Sequence, residues 1–192
     1  MVHIKKLKII MISIILAVIA LIPNNVLADG PSYDITNYDM DAYIQEDGTI
    51  HIDESITYYF SSSANGLTRD LRYFYKTNKD SMEPNSARYQ ATGIENITVA
   101  VTNPANITTN FTKASNAEKG DNGVYTVDAV NADRTDGYDI MVYSPISSNN
   151  FQTVHYSYDI TDAVVQYNDM SEIYYNFIGN GIETDVDEFN LD

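Results

Sequence analysis

Twelve residues, 49–60, constrain this chain more than any other stretch. Ile50, Ile52, Ile56, Tyr58 and Phe60 fall on one parity, and His51, Asp53, Ser55 and Thr57 on the other. A period of two places successive side chains on opposite faces of a strand, with one face apolar and one wet. Only Glu54 breaks the apolar parity. The residues before it alternate as well: Tyr38, Met40, Ala42 and Ile44 against Asp39, Asp41 and Tyr43. Asp47-Gly48 between the two runs supplies the positive-φ positions of a tight reversal, so the pair is a β-hairpin. A lone hairpin is marginal in water. Its apolar face therefore needs a second layer.

The rest of the chain offers that layer. Residues 61–66 read as a small-polar loop, and 67–75 mix Arg69, Asp70 and Arg72 with Leu67, Leu71 and Tyr73. Residues 76–90 have few aliphatics and read as a long exposed loop. Strand patterns return at 94–101 (Ile97, Val99 and Val101 on one face), 124–130, 138–144 and 152–160, with weak strand character at 107–112. Residues 131–137 read as a polar turn. The segment 164–178 has two readings: a helix capped by Asp169 with Glu172, or a strand over 172–178. Ile173, Tyr174, Tyr175 and Phe177 favour the strand. Short strands separated by turns predict an all-β fold, an Ig-like or related β-sandwich, mostly antiparallel.

The amino terminus does not belong to that domain. Lys5, Lys6 and Lys8 precede an apolar run at 9–22, followed by the small-residue site Val26-Leu27-Ala28. That order is a secretory signal peptide, and its run is short of the ~20 residues of a spanning helix. The expected division is a signal helix at 1–28 and one exported domain at 29–192. Removing the three leader lysines takes the formal charge from −16 to −19. A surface so acidic repels nucleic acid and anionic headgroups. The absence of cysteine excludes thiol catalysis and leaves stability to the core. An alternating segment begins at 186–191, so the natural protein is expected to continue past Asp192.

No chemical motif stands out. Asp133, Asp136 and Asp139 surround Gly137, but their spacing is not that of an EF-hand and Arg134 interrupts them. Asp185, Asp187 and Glu188 are an equally weak set. His51 and His155 fall on the polar faces of strands, without a hydrolase or zincin motif. No catalytic residue, metal ligand or cofactor is assigned. Tyr43 and Tyr143 lie opposite the expected core faces of their strands, as candidate surface aromatics for binding. Arg69 and Arg72 are candidates for structural salt bridges or for docking a partner.

Several segments resemble one family. Residues 33–60, including Asp47-Gly48-Thr49-Ile50-His51-Ile52-Asp53-Glu54, are similar to the start of the DUF2207 family of predicted bacterial membrane proteins. Asn65-Gly66-Leu67-Thr68-Arg69 and Tyr167-Asn168-Asp169-Met170-Ser171-Glu172-Ile173-Tyr174-Tyr175-Asn176 resemble its later segments. The family often has Trp where Tyr175 and Ile182 stand, and this chain has none. The resemblance implies an extracellular β-rich region, with membrane anchoring through segments beyond residue 192, and hands over no catalytic residue. It also focuses attention on Glu54. A carboxylate on an apolar face needs a partner, and Arg69 or Arg72 is expected within hydrogen-bonding reach.

The expected function is a non-catalytic binding or scaffolding domain at the cell surface, with an unknown protein or cell-wall partner and no nucleic acid. The alternative is a secreted cell-wall- or glycan-active hydrolase with paired carboxylates about 5–10 Å apart. A third option is a calcium-stabilised adhesin module.

Overall fold

The computed structural model describes residues 32–75, 91–132, 135–173, 175–179, 182 and 184–192. The expected leader, the loop expected at 76–90 and Asp133 lie outside the described residues. The strands are β1 (Tyr33–Ile44), β2 (Ile50–Phe60), β3 (Ala64–Tyr75), β4 (Gly93–Thr102), β5 (Thr108–Asn110), β6 (Thr112–Lys113), β7 (Val124–Ala132), β8 (Thr135–Ile146), β9 (Asn150–Thr161), β10 (Val164–Gln166), β11 (Ser171–Ile173) and β12 (Phe189–Leu191). One sheet has the order β12-β1-β2-β9-β4-β5 and a second has β3-β8-β7-β6, with β10 and β11 as a separate pair. The ladders are antiparallel except β1–β12 and β6–β7. The fold is all-β.

The alternation of β2 is what joins the sheets. Ile50, Ile52, Ile56, Tyr58 and Phe60 are buried, with Val154, Tyr158 and Ile160 of β9 beside them in register. They share one apolar core with Leu67, Leu71, Ile140 and Val142 of the smaller sheet. Each such side chain removed from water is worth about 1.5–3 kcal/mol. The chain passes between sheets at Phe111, whose N–H donates to Val99 O at 2.8 Å while the next N–H, Thr112, donates to Gly123 O at 3.0 Å.

Two expectations change. The turn expected at 131–137 is narrower: β7 runs to Ala132 and β8 starts at Thr135, paired with each other, and residues 133–134 lie outside the described residues. Gly137 sits within β8 opposite Arg72, where a Cβ would lie 2.1 Å from Leu71 O. It is a close-approach glycine, which a polar sequence disguised as a turn. Ile97 is partly buried and packs against the core with Val99 and Val101, as expected; a bulge between Glu95 and Thr98, with Asn96 at φ 53°, lets Ile94, of the opposite parity, enter the core as well. Among the described residues of 164–178, the strands are Val164–Gln166 and Ser171–Ile173, paired with each other, so the strand expected at 172–178 holds at 172–173. Residues 175–179 carry no regular structure.

Candidate functional site

The polar groups of this domain fall into an inner set and an outer set, and strand parity decides which. Glu54 points inward with its isoleucine neighbours. Its Oε1 accepts from Arg69 Nε at 2.9 Å, and its Oε2 accepts from Arg69 Nη2 at 3.0 Å and Tyr38 OH at 2.6 Å. Arg69 also donates from Nη1 to the carbonyls of Asp70 and Ile178, both at 3.1 Å. Glu54 is 1 % exposed and Arg69 3 %. Burial works against the guanidinium's charge, but the Glu54 carboxylate outweighs it and holds the Arg69 pKa well above its ordinary value. Burial raises the Tyr38, Tyr58 and Tyr158 phenols as well. Shut away in the core, this set serves as a fastening. Through Arg69 it ties β1, β2, β3 and the irregular segment at 177–178.

Arg72 takes no part in that pair. Being of opposite parity, it turns outward, donating to Tyr138 O at 2.8 Å and Asp139 Oδ1 at 2.5 Å, with Asp70 Oδ2 3.5 Å away. Asp139 is thereby committed to an arginine rather than to a cation site. Among the described residues, no group of three or more His, Asp or Glu side chains is placed to hold a metal ion.

The outer set lies on the larger sheet. Three consecutive residues from each of β2, β9 and β4 frame a shallow groove of about 510 Å³, within the ~300–1,000 Å³ typical of small-ligand sites. Its floor is the strand backbone at Glu54, Tyr156 and Val99, whose side chains turn into the core. Asp53, Ser55, Ser157, His155 and Ala100 form its sides, and Asn110, Phe111 and Tyr125 border it where the chain leaves for the second sheet. The depression exists because the outward residues here are small. Ser55, His155 and Ala100 are register partners across the three strands.

His51 and His155 both belong to this face. His155 Nδ1 lies 2.7 Å from Ser55 Oγ, and Nε2 lies 2.8 Å from Thr102 Oγ1, which is 2.7 Å from Thr108 Oγ1. Burial lowers the His155 pKa, so its ring is neutral near pH 7. His51 Nδ1 is 2.6 Å from Asp159 Oδ1, and Nε2 is 3.4 Å from both Asp53 Oδ2 and Ser157 Oγ. The hydrogen bond to Asp159 raises the His51 pKa, burial opposes it, and the charges of Asp53 and Asp159 add to the rise. Burial pushes Asp159 upward, but hydrogen bonds from Asn96 and His51 outweigh it and hold its pKa below the ordinary carboxylate value. Asp159, His51 and Ser157 thus have the connectivity of an acid–histidine–serine set. Acyl transfer also needs free N–H donors at the oxyanion. The strand carrying Ser157 is paired on both sides, with β2 and β4.

Over residues 34–192 the chain matches the family described as predicted membrane protein (DUF2207) N-terminal domain. The chain belongs to that family. No curated protein matches it. Among solved structures, the DUF2207 domain is similar to an M1 zinc metallopeptidase from Deinococcus radiodurans, at 11 % identity and TM-score 0.34, over 67 % of this chain and 20 % of that one. It is also similar to a candidate nutrient-binding protein from Legionella pneumophila, at 10 % identity and TM-score 0.36, over 69 % of this chain and 40 % of that one. The chain spans at most two fifths of either structure's length, and likenesses this distant carry nothing about activity. Among the described residues, no helix is long and apolar enough to cross a membrane.

Of the residues singled out from the sequence, Glu54 and Arg69 meet in the core and Arg72 stands apart from them. Tyr43 is 55 % exposed, beside His51 with ring centroids 6.3 Å apart. Tyr143 is half-buried, opposite Gly66 and Val124 in the smaller sheet, so it is not a free aromatic surface. The sequence reading of the DUF2207 domain missed the groove and its serines. Their one available signal was a run of small side chains at matching parities: Ser55, Ser157, Thr98 and Ala100.

Proposed function

We propose that this DUF2207 domain is a non-catalytic binding module on the outer side of a membrane-associated protein. The supporting observation is the groove on the larger sheet. It is open, of ligand size, and lined by hydrogen-bonding side chains. Asp53 is its only outward carboxylate among the described residues, because Glu54 is turned inward to Arg69. The hydrolase alternative needs two facing carboxyls, and this groove supplies one. The signal-peptide pattern of the leader supports the placement outside the cytoplasm.

The test is co-sedimentation of the chain with purified bacterial cell envelopes, with soluble sugar and peptide release measured in the same tubes. Saturable sedimentation without release is the expected result. Time-dependent release of reducing ends or amines would transfer the domain to the hydrolases. No sedimentation above a bovine serum albumin control would end the binding reading.

A further inference from the structure

We infer that the groove binds a neutral glycan segment, seated over Ala100 and hydrogen-bonded by Ser55, with His155 behind it. This rests on the binding reading above and names its ligand class.

Charge narrows the choice first. No lysine or arginine occurs in β1, β2, β4, β5, β9 or β12, and His51 is already held between Asp53 and Asp159, so the sheet offers no free cation to a phosphate or carboxylate ligand. Asp53, Asp41 and Asp159 repel such ligands further. A cationic peptide would need acids aimed into the groove. The one that lines it, Asp53, already faces His51 Nε2 at 3.4 Å. What remains are hydroxyls, the Asn110 amide, a neutral imidazole and, at one border, the partly buried Phe111 ring. Hydroxyls and amides pair with sugar hydroxyls in both senses. An aromatic border suits a ligand with an apolar face.

The hydrogen-bond chain makes Ser55 receptive. Ser55, His155, Thr102 and Thr108 form three links between four groups. With a neutral ring, the protons can run in either of two directions. If Ser55 donates to Nδ1, the Nε2 proton goes to Thr102, Thr102 donates to Thr108, and the spare hydroxyl proton sits on Thr108. If the order reverses, Nδ1 carries the ring proton and donates to Ser55, and the spare proton sits on Ser55 in the groove. A ligand oxygen accepting from Ser55 selects the second order. Binding is therefore coupled to the tautomer of His155, a change that a purely structural ladder would not show.

The test uses the full chain with 15N-labelled histidine at about pH 7.5, above the ordinary histidine pKa. The probes are cellohexaose, maltohexaose, a β-1,4-linked N-acetylglucosamine hexamer and a tetralysine peptide. At least one oligosaccharide should shift the His155 nitrogens toward the Nδ1–H tautomer, and Ala100→Leu should weaken that binding at least about tenfold, or ~1.4 kcal/mol. Ala100 faces outward between buried Val99 and Val101, so the variant should melt like the wild type. The inference is overturned if none of the three sugars perturbs His155 at about 5 mM, a concentration that would reveal even millimolar affinity. Wild-type affinity in a folded Ala100→Leu variant overturns it too, as does a groove that answers only to tetralysine. Envelope co-sedimentation separates the two levels. Envelope binding without sugar binding removes the glycan and leaves the binding module, whereas failure of both removes both.

Discussion

Replacing Arg69 with methionine should be among the most damaging single changes in this domain. The substitution keeps the apolar stem and deletes a guanidinium that satisfies both Glu54 oxygens and the carbonyls of Asp70 and Ile178. Breaking a buried ion pair by removing one partner typically costs about 3–5 kcal/mol. That is a large share of the roughly 5–15 kcal/mol that keeps a domain folded. In a domain of this length each kcal/mol moves Tm by about 2–4 °C, so the midpoint should fall by roughly 6–20 °C. Glu54→Leu alone should cost a similar amount, because it strands the cation. The double variant should cost only about 1–3 kcal/mol, because carbonyls lose a donor but no charge is left unpaired. Urea titrations followed by tyrosine fluorescence, on a chain with 16 tyrosines and no tryptophan, measure all three. Equality of the double loss with the sum of the single losses would refute the reasoning, since the pair would then carry no coupling.

Other outcomes follow from the same geometry. The raised His51 pKa means its contribution is fully present below its unfolded value of about 6.5 and is lost as pH rises through the folded value. The lowered Asp159 pKa means its contribution is present above about 3.9 and is lost as pH falls through the folded value. The stability difference between wild type and His51→Gln should therefore be greatest between about pH 4 and 6.5 and shrink toward pH 8, read from urea midpoints across that range. Gln152 donates to Ser144 Oγ at 2.7 Å in the core while its own Oε1 has no partner among the described residues. Ser144→Ala alone should cost about 1–3 kcal/mol, and Ser144→Ala with Gln152→Met should be near neutral by the same titration. Gly137→Ala should cost at least about 1–3 kcal/mol by driving a Cβ into Leu71 O, whereas Gly93→Ala, which meets only the Thr161 side chain at 3.3 Å, should melt close to wild type.

Parity made much of this fold legible. The alternation at Ile50 through Phe60 dictates which residues enter the core, and it also marks Glu54 as the exception that needs a partner. The choice between the two arginines was in the sequence as well: Arg69 shares parity with buried Leu67 and Leu71, and Arg72 does not. What parity cannot carry is a register shift. The bulges at Glu95–Thr98 and Ile35–Asn37 insert residues without any local signal of composition, so Ile94 and the start of β1 leave the expected pattern. The groove was illegible for another reason. Ser55, His155 and Ala100 meet only when strands far apart in sequence align, and no local pattern encodes that alignment. Gly137 looked like a turn because its neighbours are polar, while its real constraint is the backbone of β3 across the ladder.

The parallel pairing of β12 with β1 has a mechanical consequence. Tyr38, Asp39 and Met40 align with Phe189, Asn190 and Leu191, and Ile35 bridges to Val186. Because the strands run the same way, Tyr33 begins at one end of this seam and Asp192 leaves at the other. Tension applied between those two points loads the seam's hydrogen bonds together in shear, instead of peeling them one by one. A domain held at a surface through one end and pulled by a bound ligand would resist extension at this seam first.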